Sequence, residues 1–378
     1  MSVAAMEAVT AAPRGRGQDG RVQEQLRLFF RSRAASAASY GPSFVRLWTL
    51  AEQSMRGGKL VRPQLLIDTF HALRPADGAR EASGETAAES TTGAMIEIAV
   101  AVELLHHAFL MHDDVIDGDL TRRGRSNLVG ALLAERPADA PSPDGSDLHW
   151  ARTGAILMGD LLLAGVHQLF ARARLPDATR IRLLDLLDHT ISESVAGEEL
   201  DVGLSAGVVA PDLMTILDMS RCKTAAYTFE LPLRAAVALA GASADADAAL
   251  SAAGRHLGLA FQLQDDLLST FGDPRQHGKD PFSDLREGKQ TAIIAYARGT
   301  SAWPVLESSF GRSDLTEGEG VEMRVLLADC GARRFVEELI DDELGACRSI
   351  IGDTAAGIPP AARRVLLDLI ARLEGRRS

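Results

Sequence analysis

From about Val22 onward, apolar residues recur at three- and four-residue spacing and almost never in strict alternation, which is the period of helices that bury one face. The runs AMIEIAVAVELLHHAFLMHDD (94–114), AILMGDLLLAGVHQLFARAR (155–174) and IRLLDLLDHTISESVAG (181–197) are apolar over wide faces. That width predicts interior helices of a bundle, not thin surface helices. No βαβ alternation is found, so the expected fold class is all-α, a single-domain helical bundle. Two stretches break the pattern, Pro75 to Thr92 and Arg136 to Asp147, both rich in small and polar residues. Similar sequence flanks each, so both read as loops inserted in one domain. Residues 1–20 lack the period and are expected to form a disordered tail, leaving 21–378 as the domain.

Composition narrows the function classes. A chain of 378 residues with 46% apolar content can fill a large core. Its 52 acidic against 40 basic residues give a net charge of −12, a field that repels nucleic acid and anionic membrane surfaces. An anionic ligand must then be met by a local basic cluster or by metal ions. Cys222, Cys330 and Cys347 are too few and scattered for a disulfide framework, which fits a reducing cytoplasm. The N-terminus lacks the apolar core of a signal peptide. No run reaches roughly eighteen uncharged apolar residues, so no stable membrane insertion is expected. Lysine occurs only at Lys59, Lys223, Lys279 and Lys289, positions where a compact, strongly hydrated charge does what a planar guanidinium cannot.

The densest chemistry lies in MHDDVIDGDLTRRGRSN, Met111 to Asn127. On a helix, Asp113 and Asp117 stand one turn apart on one face, with Asp114 on its edge. Carboxylates so crowded need a cation among them, and hard oxygen ligands suit Mg²⁺. Arg122, Arg123 and Arg125 follow at once, side chains that pair with phosphate through two hydrogen bonds. A second pair, Asp265 and Asp266, lies in FQLQDDLLSTFGDPRQHGKDPFSDLREGKQT, again followed by basic residues, Lys279 and Lys289. Two such helices facing each other would line a cavity with metal-binding carboxylates on both walls. Gly15, Gly17 and Gly20 spell G-x-G-x-x-G without a preceding strand, so they do not indicate a nucleotide site. His106, His107 and His112 lack the H-E-x-x-H spacing of a zinc hydrolase.

The ordered set GGKLVRP (57–63), DDVIDGDLTRRG (113–124), GEELD (197–201), KT (223–224) and FQLQDD (261–266) resembles the trans-isoprenyl diphosphate synthases, the polyprenyl synthetase family. The resemblance implies an isoprenoid-synthase-type bundle around a central cavity and a prenyltransferase that joins isopentenyl diphosphate to allylic diphosphates. It further implies that Asp113, Asp114, Asp117, Asp265 and Asp266 hold three Mg²⁺ ions. Arg122, Lys223 and Lys279 would grip the allylic diphosphate, while Lys59, Arg62, His106 and Arg123 would grip that of isopentenyl diphosphate. Asp201 and Lys289 are further expected substrate-site residues, with Glu198 a plausible one. Thr224, Gln262 and the Lys223 carbonyl would face the cation formed on ionisation, and the released diphosphate would take the final proton. A homodimer is expected.

Two departures from the family pattern bear on this. Ser269 stands where a third aspartate often completes the second cluster, and Asp273 is not at helical spacing to replace it. Phe109 lies one turn before Asp113 and follows the small Ala108. One aromatic instead of two implies a pocket deeper than in farnesyl synthases, and hence a C20 product, with a farnesyl or longer-chain polyprenyl product as the alternative. Class I terpene cyclases share an aspartate-rich motif but need no isopentenyl site, which GGKLVRP supplies. A non-catalytic partner subunit would be expected to lose metal-binding aspartates, and this chain keeps five.

Overall fold

The computed structural model describes residues 16–55, 58–74, 85–122, 124–136, 145–272 and 282–375. Contacts divide the chain into two compact units, Ala12–Ile67 with Pro75–Leu184, and Met1–Ala11 with Asp68–Arg74 and Asp185–Ser378. The expected single domain is accordingly described as two bodies.

The first unit contains α1 (Arg16–Ala37), α2 (Pro42–Ser54), the start of α3 (Val61–Leu73), α4 (Glu85–Ile116), a hairpin of β1 (Thr121–Arg122) and β2 (Arg125–Ser126), α5 (Leu128–Ala134), α6 (Ser146–Arg172) and the start of α7 (Asp177–Ser205). Its spine is α4 packed along α6, with α1 against α2 and α4. Ile98, Ala101, Leu104, Leu105 and Ala108 of α4 are fully buried, as are Ala155, Met158, Leu162 and Val166 of α6.

Two expectations are corrected here, and a third is qualified. Helix α1 begins at Arg16, inside the segment read as a disordered tail. Val22 and Phe30 anchor it in the core, Asp19 complements its N-terminal dipole, and Gln64 Nε2 donates to Asp19 at 3.1 Å. Gly17 and Gly20 of the G-x-G-x-x-G run are therefore helical. Helix α4 begins at Glu85, so the segment 85–92 is helix and not loop. Propagation from a helix already nucleated by its buried part carries this segment, although Ser and Thr are weak helix formers. Finally, Ser90–Ile116 and Ser146–Arg172 are long and apolar enough to cross a membrane once a few charges are tolerated, and 83% and 39% of their most apolar windows are buried. The first is thus a core helix. The second exposes Trp150, Ile156 and Leu157.

The second unit contains the remainder of α3 and α7, then α8 (Leu213–Ser220), a π-helix (Arg221–Glu230), α9 (Leu231–Ala240), α10 (Ala244–Phe271), α11 (Ser283–Glu287), α12 (Ala292–Arg298), α13 (Trp303–Glu307), α14 (Glu317–Asp329), α15 (Ala332–Gly352) and α16 (Pro360–Glu374). Helix α10 is central and packs on α15 and on the π-helix. Val336, Ile340, Leu344, Cys347 and Ile351 give α15 one continuous buried stripe.

The π-helix has a local cause. Pro232 has no N–H and its ring crowds the carbonyl four residues back, so a regular α-turn cannot pass through it. The turn widens instead, and the Leu231 N–H donates to Ala226 O, five residues away. Neighbouring helices approach this segment through glycines. A Cβ at Gly258 would lie 2.2 Å from Ala225 Cβ, and one at Gly197 2.2 Å from the Lys223 nitrogen.

The far end of the π-helix is pinned by Glu230, 2% exposed. Its carboxylate accepts from Ser251 Oγ at 2.6 Å, Arg255 Nε at 3.1 Å and Arg234 Nη1 at 3.2 Å. Burial raises the pKa of this carboxyl, but the donors from Arg255 and Ser251 and the two arginine charges outweigh it and leave it below the ordinary range. A carboxyl lowered on folding stabilises the native state above its unfolded pKa, and the benefit is lost as pH falls through the folded value. Glu230→Gln is therefore expected to cost about 2 kcal/mol at pH 7. In urea melts across pH, the gap from wild type should close below about pH 4; a gap that persists there would show that packing and not charge is lost.

Candidate active site

In the first unit the acidic end of α4 projects toward the hairpin. A carboxylate oxygen of Asp113 and one of Asp117 lie within 4.8 Å of each other, as helical spacing requires. Asp114 turns inward, 4% exposed. Arg122, carried back over the helix end by the hairpin, donates through Nε to Asp114 Oδ1 at 2.8 Å and through Nη2 to Asp113 Oδ2 at 2.8 Å. One guanidinium thus bridges two of the three aspartates. Asn127 fixes the same corner: its Oδ1 caps α5 by accepting from Gly130 N at 2.9 Å, and its Nδ2 donates to Asp119 O at 2.7 Å.

Electrostatics record the crowding. Burial pushes the Asp114 carboxyl up to about 6, Arg122 and Asn127 pull it back, and Asp113 adds to the rise. Burial also opposes charge on Arg122, yet Asp114 and Asp113 outweigh it and hold the guanidinium above its ordinary pKa.

The other expected residues of this unit are individually placed. Lys59 is exposed just before α3. Leu60, which follows, has φ 52° and is the only non-glycine residue with positive φ among the described residues, a strained conformation of the kind found at functional sites. Arg62, in the first turn of α3, is fully buried, and His106 is 1% exposed. His107 packs beside it, ring centroids 5.3 Å apart, with its Nε2 3.5 Å from Glu103, in keeping with a structural role. Ala108 is fully buried and Phe109 partly so. Arg123 lies outside the described residues.

In the second unit α7 and the π-helix meet at Gly197. Lys223 Nζ donates to Asp201 Oδ2 at 2.6 Å and lies 2.9 Å from Glu198 Oε2. The GEELD motif thus holds the lysine of KT. The next residue, Thr224, 1% exposed, donates from Oγ1 to Gln262 Oε1 at 2.8 Å, and Gln262 Nε2 donates to Asp266 Oδ1 at 2.8 Å. This relay fixes the Gln262 amide and leaves the Thr224 oxygen lone pairs directed elsewhere.

Asp265 is 2% exposed. Burial pushes the Asp266 carboxyl up to about 8; Gln262 and Lys289 oppose the rise, Asp284 and Asp265 add to it. Lys289 Nζ lies 3.7 Å from Asp284 Oδ1 and 3.4 Å from Glu287 Oε2. Asp284 is the acidic neighbour that the sequence reading passed over, although it shares the SDLREGK motif with Lys289. Ser269 is partly buried on α10 and offers no carboxylate; Asp273 and Lys279 lie outside the described residues.

Both acidic helix ends fit a hard divalent cation. Every donor is a carboxylate oxygen, and burial leaves Asp114 and Asp266 with an unmet demand for positive charge, seen as their raised pKa values.

Comparison with known proteins places these features in a family. Residues 46–319 match the family model described as Polyprenyl synthetase. A geranylgeranyl diphosphate synthase of Methanosarcina mazei is 29% identical over 285 residues, 75% of this chain and 76% of that protein. A (2E,6E)-farnesyl diphosphate synthase of Mycobacterium tuberculosis is 31% identical over 287 residues, 74% of this chain and 69% of that protein. Among solved structures, the geranylgeranyl pyrophosphate synthase of Corynebacterium glutamicum complexed with isoprenyl diphosphate and magnesium aligns with a TM-score of 0.83 at 26% identity, covering 95% of this chain and 99% of that one.

The Arg122 bridge yields a direct expectation. In chelator, Arg122→Met should lower the free energy of unfolding by about 3 kcal/mol, because it takes from the buried Asp114 carboxylate the guanidinium that bridges it to Asp113. An unchanged urea midpoint would mean that solvent already screens Asp113 and Asp114.

Proposed function

The chain belongs to the polyprenyl synthetase family and is a Mg²⁺-dependent trans-prenyltransferase, and on that premise we propose that it extends allylic diphosphates with isopentenyl diphosphate to geranylgeranyl diphosphate. The reading is supported most by the two acidic helix ends, the first bridged by Arg122 and the second carrying Asp266 within the electrostatic reach of Lys289.

Asp113, Asp114, Asp117, Asp265 and Asp266 would hold three Mg²⁺ ions. When bound, Mg²⁺ supplies Lewis-acid stabilisation of the departing diphosphate. Arg122, Lys223, Lys279 and Lys289 bring further positive charge to that diphosphate, which favours cleavage of the allylic carbon–oxygen bond to leave a carbocation. Asp201 and Glu198 steer the Lys223 ammonium. Lys59, Arg62, His106 and Arg123 orient isopentenyl diphosphate so that its double bond attacks the cation. Thr224 turns its lone pairs toward the developing positive charge because its proton is committed to Gln262, and the Lys223 carbonyl acts beside it. The released diphosphate accepts the proton lost in forming the new double bond.

Product length follows from the α4 face below Asp113. Ala108 leaves room where a second aromatic would close the pocket, and Phe109 forms the floor. The exposed Trp150, Ile156 and Leu157 of α6 support a homodimer that covers this apolar face. Three unpaired cysteines support residence in the reducing cytoplasm.

Purified protein supplied with Mg²⁺, isopentenyl diphosphate and each allylic primer should give chiefly C20 diphosphate by mass spectrometry, and Phe109→Ala should lengthen the product by at least one isoprene unit. Chiefly C15 or longer chains from the wild type would move the floor to another residue, and no elongation would remove the synthase reading. Sedimentation should show a dimer for the wild type and a monomer for Leu157→Arg; identical assemblies would place the interface elsewhere.

A further inference from the structure

His112 stands immediately before Asp113 and has no part in the chemistry above, yet its surroundings are specific. Its Nε2 lies 3.2 Å from the carbonyl oxygen of Ile156 and 3.4 Å from Asp160 Oδ1, both on α6. Both neighbours accept hydrogen bonds, so Nε2 carries the proton and donates. The ring occupies a hollow that exists because residue 159 is glycine. A Cβ there would lie 2.3 Å from His112 Nε2, 2.6 Å from Cδ2 and 2.9 Å from Cε1. Hydrogen bond, acidic neighbour and hollow are three separate features of α6, and all converge on one imidazole.

Helix geometry gives that contact its consequence. Successive residues are rotated by about 100°, so with His112 fixed toward α6, Asp113 and Asp117 point about 100° and 140° around the axis from it. The two carboxylates then share a face whose direction is set by where His112 is held. The last turn bearing them is closed by Asp117 N–H donating to Asp113 O at 2.8 Å. Arg122 and Asn127 hold the same helix end from the hairpin and α5, but both act on the aspartates or the loop beyond them. His112 alone among these three ties the helix itself to its main packing partner.

We propose that His112 is a positioning residue, which locks the rotation of the acidic end of α4 against α6 through the Ile156 carbonyl and the Gly159 hollow, so that Asp113 and Asp117 are preset as a pair for the metal-bound diphosphate. The proposal rests on the prenyltransferase reading for its ligand, but its geometry stands on the contacts between α4 and α6 alone. A histidine that only filled space would be replaceable by any side chain of similar volume.

Three variants separate the two roles. His112→Leu keeps bulk without a donor, His112→Gln restores an N–H donor at similar reach, and Gly159→Ala leaves the imidazole intact while closing the hollow. In metal-free protein, hydrogen exchange at the amides of 113–117 should quicken in His112→Leu and Gly159→Ala and return toward wild type in His112→Gln. Mn²⁺ binding followed by electron paramagnetic resonance in the presence of inorganic pyrophosphate should weaken about tenfold or more in the first two and recover in the third. The KM for isopentenyl diphosphate should stay unchanged while kcat falls. Wild-type Mn²⁺ affinity in folded His112→Leu, failure of His112→Gln to rescue, or a silent Gly159→Ala would each overturn the proposal. Should His112→Leu not fold, the other two variants decide. Absence of elongation by the wild type would overturn the functional reading instead, while the exchange data would still judge His112.

Discussion

Gathering negative charge at the end of a buried helix is costly, and the surrounding structure is arranged around meeting that cost. A carboxylate removed from water must be paired or must take up a proton. Arg122 serves Asp113 and Asp114, Lys223 sits between Glu198 and Asp201, and Glu230 draws on Arg234, Arg255 and Ser251. Where protein cations do not suffice, the pKa of Asp114 and Asp266 rises. Catalytic metal binding thereby becomes the completion of a charge balance that the fold leaves unfinished.

Partners of opposite charge are only useful if helices come close enough for short side chains to meet. Gly197 and Gly258 let α7 and α10 press against the π-helix backbone, which brings Asp201 to Lys223 and Gln262 to Thr224. Packing and candidate chemistry are therefore not separable here: the same contacts that bury the π-helix set the orientation of Lys223 and Thr224, the two residues it contributes to the proposed site.

Much of this was legible in the sequence. The period of three and four residues identified the long helices, and the spacing of Asp113 and Asp117 placed both on one face, because local geometry alone decides such things. The basic residues after each acidic cluster were also recognisable as partners of anions. What could not be read was which anion each would meet in the folded chain. Lys223 and Asp201 are 22 positions apart, and only tertiary packing joins them. The N-terminal limits of α1 and α4 were misplaced because sequence that is weakly patterned by itself becomes helical when a buried continuation anchors it. The role of Asp284 was overlooked because its effect on Asp266 comes from the folding of α11 back beside α10.

The π-helix has a consequence for how such a chain can vary. A stretch bonded five residues back carries surplus length relative to an α-helix, so losing a single residue between Ala225 and Phe229 would tighten the turn against the ring of Pro232. It would also turn everything upstream by about 100° relative to everything downstream, swinging Lys223 and Thr224 away from Asp201 and Gln262. Such a deletion would disturb both the helix and the two hydrogen-bonded pairs, so what inheritance must preserve in this segment is its count of residues as much as their kind.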